Sequence, residues 1–556
     1  MHVRHTTVLW SAIAIAIISC MLFDILSVNK PEIPKPIVCP PLDTAAALDR
    51  FRGLISYPSI SNISREDHVN DQKVFRDMMA YLERSYPRVW KHLKVEQVGV
   101  NSLSLLITWP GSNSDLRPVL FVSHYDVVPV TPGSEHAWTY PPFSGELADG
   151  YVWGRGSLDI KFGVAALLEA ASTLLESYDS GEAEEGKEKT EKEKDGADSP
   201  FRPERTIMFA FGHDEEVGGN HGAGAIGALL RSRGVNLELV VDEGGSVLLD
   251  GLSPFTRRPV AMVGLAEKGF ATVEVTLRSP GGHSSMPPTD GSSIADQLWQ
   301  LGTALKEHPT RTQLQSPVTD MLTHLAPYTL GWLRPLLKRA ELRPVRWLVG
   351  QLFRRFGGRE VAAMVTTTLA LTRIRAGVAD NVLPQEAVLL YNIRLLPGQE
   401  PIQAVEHLQR AVGFARVNAE VRLLDEGNSW PGSQVSSSND RHFQLVRKAI
   451  QETWQFDGQP PAVVPFLLMG ATDSKHYAAL SHGGVMRFVP YAMNKTGGDL
   501  GLIHATNERV RNTSFSQGVC TYLRMMQLLA GSESALQSVS ASASTSASGS
   551  GSQSLV

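Results

Sequence analysis

The sequence predicts an α/β protein, in which a layered α/β domain is interrupted by a smaller α+β domain. Three observations lead to this prediction. At 556 residues the chain is too long for one hydrophobic core. Short apolar runs typical of buried strands alternate with helical segments from residue 42 to 264. Between residues 265 and 427 apolar and polar residues alternate, as in half-buried strands, and the first domain resumes over 428–530.

The amino-acid composition is that of an ordinary globular protein. Hydrophobic residues make up 42% and charged residues 20% of the chain, and the formal net charge is −5. This charge gives no electrostatic case for binding nucleic acid. Three cysteines are too few for a disulfide scaffold or a cysteine-rich zinc module. Cys39 and Cys520 would pair in a lumenal compartment, but the sequence leaves this open.

The N-terminus predicts a membrane anchor. An uncharged run extends from Val8 to Phe23, and counting past Asp24 through Val28 reaches the length of about 20 residues that a bilayer span needs. We therefore predict a cytoplasmic tail over 1–7, a signal anchor over 8–28 and a Pro-rich stalk over 29–41. The alternative is a cleaved signal peptide. Both place the body on the lumenal or outer side, which fits the glycosylation sequons at Asn62, Asn494 and Asn512.

The first domain begins with helical spacing from Leu42 to Tyr86, where Asp43 is a candidate N-cap. After it, the sequence predicts strands at 95–109, 119–122, 206–211 and 238–241 and a helix over 163–177. Residues 180–203 are mostly Glu, Lys and Gly and predict a disordered surface insertion, with an acidic interaction loop as the alternative. The Ser-rich tail, 531–556, is also predicted to be disordered.

In the inserted domain, residues 271–277, 389–395 and 420–424 predict strands. The segment 322–356 is rich in Leu, Trp and Arg. It is either domain core with a solvated basic face, which we favour, or a basic amphipathic stretch that contacts a membrane or lines an acyl pocket.

Acidic and imidazole side chains follow the predicted strands or lie in Gly-rich turns. Ligands of open α/β sheets bind beyond the carboxyl ends of the strands, so these side chains are expected at one rim. The candidates are His124, Asp126, Asp159, Glu215, Glu216, Asp242 and His504. Two histidines with three carboxylates suit zinc, manganese or cobalt. A dinuclear site also needs a bridging carboxylate, and a spare glutamate would act as general base.

These residues stand in motifs that resemble a known family. The motifs, in order, are SHYDVVP, GRGSLDIK, GHDEEVGG, DEG, PGGHSSMP and MGATDSKHY. Together they resemble the dizinc metallopeptidases typified by carboxypeptidase S, aminoacylase-1 and the N-acyl amino-acid hydrolases, over residues 43–530. In its predicted N-terminal anchor and its overall size, the chain most resembles vacuolar carboxypeptidase S. The resemblance implies a zinc-exopeptidase-like domain with an inserted lid domain that forms dimers.

The resemblance also implies a role for each motif residue. Asp159 would bridge two zinc ions, with His124 and Asp242 on one and Glu216 and His504 on the other. Glu215 would be the general base, and Asp126 would orient His124. Three residues of the lid domain would contact substrate: His283, which reaches the site of a dimer mate, and Asn381 and Arg394, which bind the substrate carboxylate. Ala471 departs from the family, where Gly is usual, and puts the shape of one loop beside the substrate in doubt.

The resulting prediction is a zinc-dependent carboxypeptidase that cleaves the C-terminal bond of short Gly-Xaa-type peptides. An N-acyl amino-acid amidohydrolase or synthase on the same site is the alternative. A pseudoenzyme would lack a ligand or the base, and neither is missing. The body is expected on the lumenal side of the vacuole or another endomembrane, or to be secreted.

Overall fold

The computed structural model describes residues 33–182, 201–424 and 429–531. The predicted tail and anchor, 1–7 and 8–28, lie outside these ranges, as do most of the insertion predicted at 180–203 and nearly all of the C-terminal tail. Within the described ranges, no helix combines the length and the apolar character needed to cross a bilayer.

The described residues contain both helices and strands along the chain. The helices are α1 (Thr44–Ile55), α2 (Gln72–Ser85), α3 (Pro87–His92), α4 (Lys161–Glu182), α5 (Ala223–Ser232), α6 (Ile294–Glu307), α7 (Val318–Leu325), α8 (Arg334–Lys338), α9 (Arg343–Phe356), α10 (Gly358–Met364), α11 (Pro401–Ala415), α12 (Arg441–Thr453) and α13 (Thr513–Ala530). The strands are β1 (Lys94–Val98), β2 (Ser104–Trp109), β3 (Val119–His124), β4 (Glu146–Ala148), β5 (Tyr151–Trp153), β6 (Ile207–Gly212), β7 (Leu239–Asp242), β8 (Val247–Leu248), β9 (Val260–Glu267), β10 (Gly269–Arg278), β11 (Gly282–His283), β12 (Thr368–Ala376), β13 (Val382–Leu383), β14 (Glu386–Leu395), β15 (Ala419–Leu424), β16 (Ala462–Leu468), β17 (Val485–Arg487), β18 (Ala492–Met493) and β19 (Arg509–Arg511).

The chain divides into two compact units. The smaller unit comprises Gly264–Ser436 and Val464–Ala471, and the larger unit contains the remaining described residues. The sequence placed the inserted domain at 265–427 with a single return at 428. The structure instead ends the insertion at Ser436 and adds Val464–Ala471, which covers most of β16 and the turn after it.

The larger unit contains most strands of a ten-stranded mixed sheet in the order β1-β2-β6-β3-β7-β17-β9-β8-β18, in which β16 pairs with β9. Strand β3 runs parallel to both β6 and β7, and β7 runs parallel to β17. Every residue of β3, β6 and β7 is buried. These strands are apolar over most of their length because both faces of the sheet are covered.

The alternation of side chains along β3 shows how the two faces are covered. Leu120 and Val122 pack with Ile226 of α5 on one face. Phe121 points to the other face and makes an edge contact with Tyr522 of α13 at 6.4 Å between ring centroids. The disulfide between Cys39 and Cys520 attaches the segment before α1 to α13, with 5.8 Å between Cα atoms. The pairing that the sequence left open is therefore present.

Two predicted segments differ in detail. Residues 95–109 form the antiparallel hairpin β1–β2 and not one continuous strand, since Gly99, Asn101 and Ser102 turn the chain with positive φ angles. Asp43 is the N-cap of α1, as predicted, and its side chain accepts a hydrogen bond from the Ala46 amide at 3.1 Å.

The smaller unit contains an antiparallel four-stranded sheet in the order β12-β14-β10-β15. Buried and half-buried residues alternate along β14, so that alternate side chains of the sheet form a core with Leu301 of α6 and Leu408 of α11. The short strands β11 and β13 pair separately. The predicted fold class, an α/β domain with an inserted α+β domain, is confirmed.

Candidate functional site

Three adjacent parallel strands, β6, β3 and β7, lead to the predicted ligands of the larger unit. His124 and Asp242 are the last residues of β3 and β7, and Glu216 lies in the turn that follows β6. The other two predicted ligands come from loops: Asp159 lies between β5 and α4, and His504 precedes β19. The site therefore lies at the carboxyl edge of the sheet, as the sequence predicts.

The carboxylate of Asp159 lies between two imidazoles. Its Oδ1 is 3.3 Å from Nε2 of His124, and its Oδ2 is 3.0 Å from Nε2 of His504. Glu216 Oε2 is 3.0 Å from the same atom of His504, and Glu243 Oε1 is 3.2 Å from Nε2 of His124. The donors thus form two groups, His124 with Glu243 and His504 with Glu216, which Asp159 joins.

Glu215 stands beside the first of these groups. Its Oε2 is 3.9 Å from Nε2 of His124, and it lies within 4.8 Å of a ligand atom of Glu243 as well. Burial raises the pKa of Glu215 well above its usual value, and the charge of Glu243 adds to this effect. A carboxylate with a raised pKa, next to a candidate metal site, has the properties of a general base.

Asp126 is completely buried and holds three parts of the site together. Its Oδ1 lies 3.3 Å from Nδ1 of His124, and its two oxygens accept hydrogen bonds from the backbone amides of Glu215 and Glu216, both at 3.1 Å. Burial favours the protonated form, but the hydrogen bond from His124 and those from the amides lower the pKa of Asp126. The remaining ring nitrogen of His124, Nε2, faces the other carboxylates.

The structure favours Glu243 over Asp242 as the ligand at the end of β7. Asp242 is buried, and its oxygens accept hydrogen bonds from the backbone amides of Ser474, at 2.7 Å, and Glu243, at 2.8 Å. It belongs to neither group of donors among the described residues. Because successive side chains at a strand end point in different directions, a shift of one residue changes the ligand. The predicted role of Asp242 is thus not supported by the geometry.

A buried ion pair that the sequence did not reveal positions two of the ligands. Glu508 accepts hydrogen bonds from the amides of Leu158, at 2.9 Å, and Asp159, at 3.1 Å, and it pairs with Arg155 at 2.5 Å. Arg155 in turn donates to the carbonyl of His504 at 3.1 Å. Both members are at least 96% buried at the side chain. The loops that carry Asp159 and His504 are therefore fixed to each other.

Burial and mutual charge interactions shift the pKa values of the carboxylates and of His504 in this cluster. Burial, reinforced by the charge of Asp159, raises the pKa of Glu243 to about 8 and that of Glu216 to about 7. Hydrogen bonds to Asp159 and Glu216 raise the pKa of His504 to about 10. Each of these shifts shows that the cluster favours added positive charge, whether protons or cations.

The donor set fits divalent transition metals. Imidazole nitrogens and carboxylate oxygens are the ligands of zinc sites in which Cys is absent. Nε2 of His124 and Oε1 of Glu216 are buried and have no hydrogen-bond partner among the described residues. Buried polar atoms of this kind are rare unless something else satisfies them, and a cation at this point would do so. A metal-dependent hydrolase is the class of protein that this site defines.

The three predicted substrate residues lie in the smaller unit. His283 is exposed on β11, and its Nδ1 accepts a hydrogen bond from the Ser285 amide at 3.2 Å. The carbonyl of Asn381 accepts a hydrogen bond from the Ser284 amide at 3.1 Å, so the two segments are held side by side. The guanidinium of Arg394 is half-buried and lies 5.0 Å from the centre of the Phe270 ring.

Comparison with known proteins identifies the family. Residues 120–182 match the family described as Peptidase family M20/M25/M40, and residues 265–419 match the Peptidase dimerisation domain. A Dictyostelium discoideum protein named "Probable carboxypeptidase S-like 2" is 31% identical over 488 residues, which cover 86% of this chain and 84% of that protein. The N-fatty-acyl-amino acid synthase/hydrolase PM20D1 of Xenopus tropicalis is 31% identical over 491 residues, covering 86% and 85%. The chain belongs to the M20 family of metallopeptidases.

Solved structures agree in fold. The M20 family metallo-carboxypeptidase Sso-CP2 from Sulfolobus solfataricus has a TM-score of 0.58 at 16% identity, covering 87% of this chain and 98% of that chain. Human carnosine dipeptidase 1 has a TM-score of 0.54 at 16% identity, covering 87% and 97%. The family predicted from the ordered motifs is confirmed.

Metal removal is expected to destabilise the protein most at alkaline pH. Without metal, the raised pKa values of Glu216, Glu243 and His504 mean that the folded state binds more protons than the unfolded chain between about pH 5 and pH 10. The free energy of unfolding therefore falls as pH rises through this window. Zinc binds the deprotonated ligands and replaces the protons, so the free energy of unfolding of the zinc-loaded protein should fall less over the same pH range. Thermal unfolding of chelated and zinc-loaded protein between about pH 6 and pH 9 tests this; a gap in melting temperature that stays constant or narrows would contradict it.

The neighbours Glu243 and Asp242 should respond differently to loss of charge. Glu243→Gln is expected to remove about one metal ion per chain, since its carboxylate belongs to the His124 group. Asp242→Asn should keep the metal and instead lower the free energy of unfolding by about 1–3 kcal/mol, because the buried oxygens of Asp242 accept hydrogen bonds from backbone amides. Metal content after dialysis and thermal unfolding separate the two roles. The reverse pattern would restore Asp242 as the ligand.

Proposed function

We propose that this chain is a zinc-dependent metallo-carboxypeptidase that hydrolyses the C-terminal peptide bond of short peptides of the Gly-Xaa type. The observation that carries the proposal is the position of Asp159 between His124 and His504, with the spare carboxylate of Glu215 at the edge of the same cluster. A bridging carboxylate with a base beside it is what hydrolysis of an unactivated amide bond requires.

Two zinc ions would be held by this cluster, one by His124 and Glu243 and the other by His504 and Glu216, with Asp159 shared. Bound zinc would polarise the scissile carbonyl and lower the pKa of water. Asp126 and the Arg155–Glu508 pair hold the ligands in place through the contacts described above.

Glu215 is proposed to move the proton. Its raised pKa suits a group that accepts a proton from the attacking water near neutral pH and then donates it to the leaving amine. The Asp126 carboxylate fixes the Glu215 backbone amide, so the side chain starts from a defined position.

His283 is proposed to polarise the scissile carbonyl from a dimer mate. The backbone amide of Ser285 donates to its Nδ1, so the proton of the neutral ring lies on Nε2. An exposed imidazole with a fixed Nε2–H is a hydrogen-bond donor for a carbonyl oxygen. The dimer would form through the smaller unit, which matches the Peptidase dimerisation domain.

Asn381 and Arg394 are proposed to bind the free carboxylate of the substrate. The guanidinium of Arg394 is half-buried over Phe270, and burial lowers its pKa, against the attraction of Glu267. A partly desolvated guanidinium binds a carboxylate more strongly than an exposed one does, and its planar fork selects the geometry.

A second candidate is the hydrolysis or synthesis of N-acyl amino acids. Relatives named N-fatty-acyl-amino acid synthase/hydrolase are as similar to this chain as the relative named carboxypeptidase S-like. Both substrate classes present an amide bond next to a free carboxylate, so the catalytic residues would serve either.

We also propose that the body acts outside the cytoplasm, in the vacuole or another endomembrane compartment, or after secretion. The disulfide between Cys39 and Cys520 supports this, because such bonds persist in oxidising compartments.

The decisive experiment compares two adjacent glutamates on two sets of substrates. Zinc-loaded protein, Glu215→Gln and Glu216→Gln are assayed for release of free amino acid from carboxybenzoyl-Gly-Xaa dipeptides and from N-acyl amino acids. Glu215→Gln should keep its metal and lose activity by at least about 10²-fold, whereas Glu216→Gln should lose metal as well. The faster substrate set identifies the function. Absence of turnover in both sets by folded, zinc-loaded protein would refute the proposal.

Arg394 should control recognition of the free carboxylate. For Arg394→Ala we expect the preference for a free C-terminus over its amide to fall by about 10-fold to 100-fold, as loss of a charge-assisted hydrogen bond predicts. Arg278→Ala is the matched control, since Arg278 is an exposed arginine at the end of β10 that pairs with Glu386. An equal effect in both variants would show that Arg394 does not bind the carboxylate.

A further inference from the structure

The helical part of the smaller unit, residues 330–359, exposes large apolar side chains. Leu330, Trp332, Leu342 and Trp347 are between 53% and 68% exposed. Single exposed apolar residues are ordinary, but several in one segment of 30 residues mark an interaction surface. We call the exposed side chains of residues 330–359 the basic apolar patch.

Helix α9 shows that the exposure has a direction. Leu348, Leu352 and Phe356 are 45%, 42% and 74% exposed and are spaced by four residues, so they form one stripe along the helix. Val349 and Phe353, one residue further along, are buried. The helix is therefore attached to the unit by one face and presents a second apolar face.

Contacts on the attached side show that the helix has a fixed orientation. Arg354 donates to the hydroxyl of Thr312 at 3.0 Å and to the carbonyl of Thr310 at 3.4 Å. Arg355, the next residue, is exposed, and its guanidinium lies 5.9 Å from the centre of the Phe356 ring. The apolar stripe thus has a cation directly beside it.

The patch is strongly basic within an acidic protein. Between residues 334 and 359 there are eight basic residues and one acidic residue, Glu341, which gives a net charge of +7, whereas the whole chain has −5. The basic residues are Arg334, Lys338, Arg339, Arg343, Arg346, Arg354, Arg355 and Arg359. Of these, Lys338, Arg343, Arg346, Arg355 and Arg359 are exposed.

We propose that the basic apolar patch docks the enzyme on the surface of an anionic phospholipid membrane. An amphipathic helix with exposed Leu, Phe and Trp beside arginines lies in the membrane interface, where the apolar side chains enter the acyl region and the cations meet the headgroups. A second copy of the chain is a poor occupant, since like patches would bring two segments of +7 together. The inference does not depend on the proposed function.

The experiment uses the full chain reconstituted in vesicles, so that any contribution of the N-terminal segment is the same in every sample. Cys20→Ser is introduced throughout, and Leu352→Cys carries an environment-sensitive fluorophore on the exposed stripe. Vesicles contain phosphatidylcholine alone or with roughly a third phosphatidylserine. We expect a blue shift and quenching by lipid-borne quenchers in anionic vesicles only. Raising salt from about 0.1 M to about 1 M should abolish both, because the Debye length falls from about 10 Å to about 3 Å.

Charge reversal provides the matched comparison. Arg343→Glu, Arg346→Glu and Arg355→Glu together should abolish the shift. Arg65→Glu, Arg84→Glu and Arg257→Glu change the net charge equally at three exposed arginines of the larger unit and should leave the shift intact. Thermal unfolding checks that both charge-reversal variants are folded. If the first variant is not folded, the salt and lipid comparisons on the labelled protein that keeps its arginines still test the proposal.

Three results would overturn the proposal. The first is absence of a shift in anionic vesicles, and the second is an equal loss in the control variant. The third is a shift that appears without lipid as protein concentration rises, which would assign the patch to self-association.

Discussion

The structure of the larger unit depends on one constraint, the concentration of carboxylates at the carboxyl edge of its sheet. Asp159, Glu215, Glu216 and Glu243 lie together with the imidazoles of His124 and His504, and the site is mostly buried. In this environment the charged forms are costly, which is why burial raises the pKa values of the three glutamates. A protein that keeps such a cluster must either protonate it or bind cations there. The donors of this cluster are arranged in two groups around a shared carboxylate, which suits cations better than protons.

Two further carboxylates act as supports and not as ligands. Asp126 accepts hydrogen bonds from the backbone amides of Glu215 and Glu216. Glu508 accepts hydrogen bonds from the backbone amides of Leu158 and Asp159. Each of these buried acids binds the backbone next to a functional side chain, so the ligand is positioned by its own main chain. Such supports fix the position of these loops, since no regular strand or helix carries Asp159 or His504.

Of the two supports, the sequence indicated Asp126 but not Glu508, and it located the strand-end acids without specifying which of them faces the cluster, for a physical reason. His124 and Glu216 follow apolar runs that are recognisable by composition alone, and the edge of a parallel sheet is their expected place. Glu508 has no such signal, because its partner Arg155 is 353 residues away and only the fold brings them together. The choice between Asp242 and Glu243 depends on which side chain points to the cluster, and that direction is set by the amide of Ser474, which is also distant in sequence. An adjacent pair of acids after a strand is therefore a signal for a ligand but not for which acid it is.

The same reasoning explains why the family could be predicted while the substrate remains a proposal. The cluster in the larger unit performs chemistry common to every amide bond, so it carries little information about what flanks that bond. The residues proposed to contact the substrate on either side of that bond, Arg394 over Phe270 and the exposed His283, belong to the smaller unit. That unit also carries the basic segment 330–359, whose charge opposes that of the chain as a whole. Differences in substrate between relatives of similar identity are therefore expected to arise in the smaller unit, where side chains can change without disturbing the buried charges that hold the metal site.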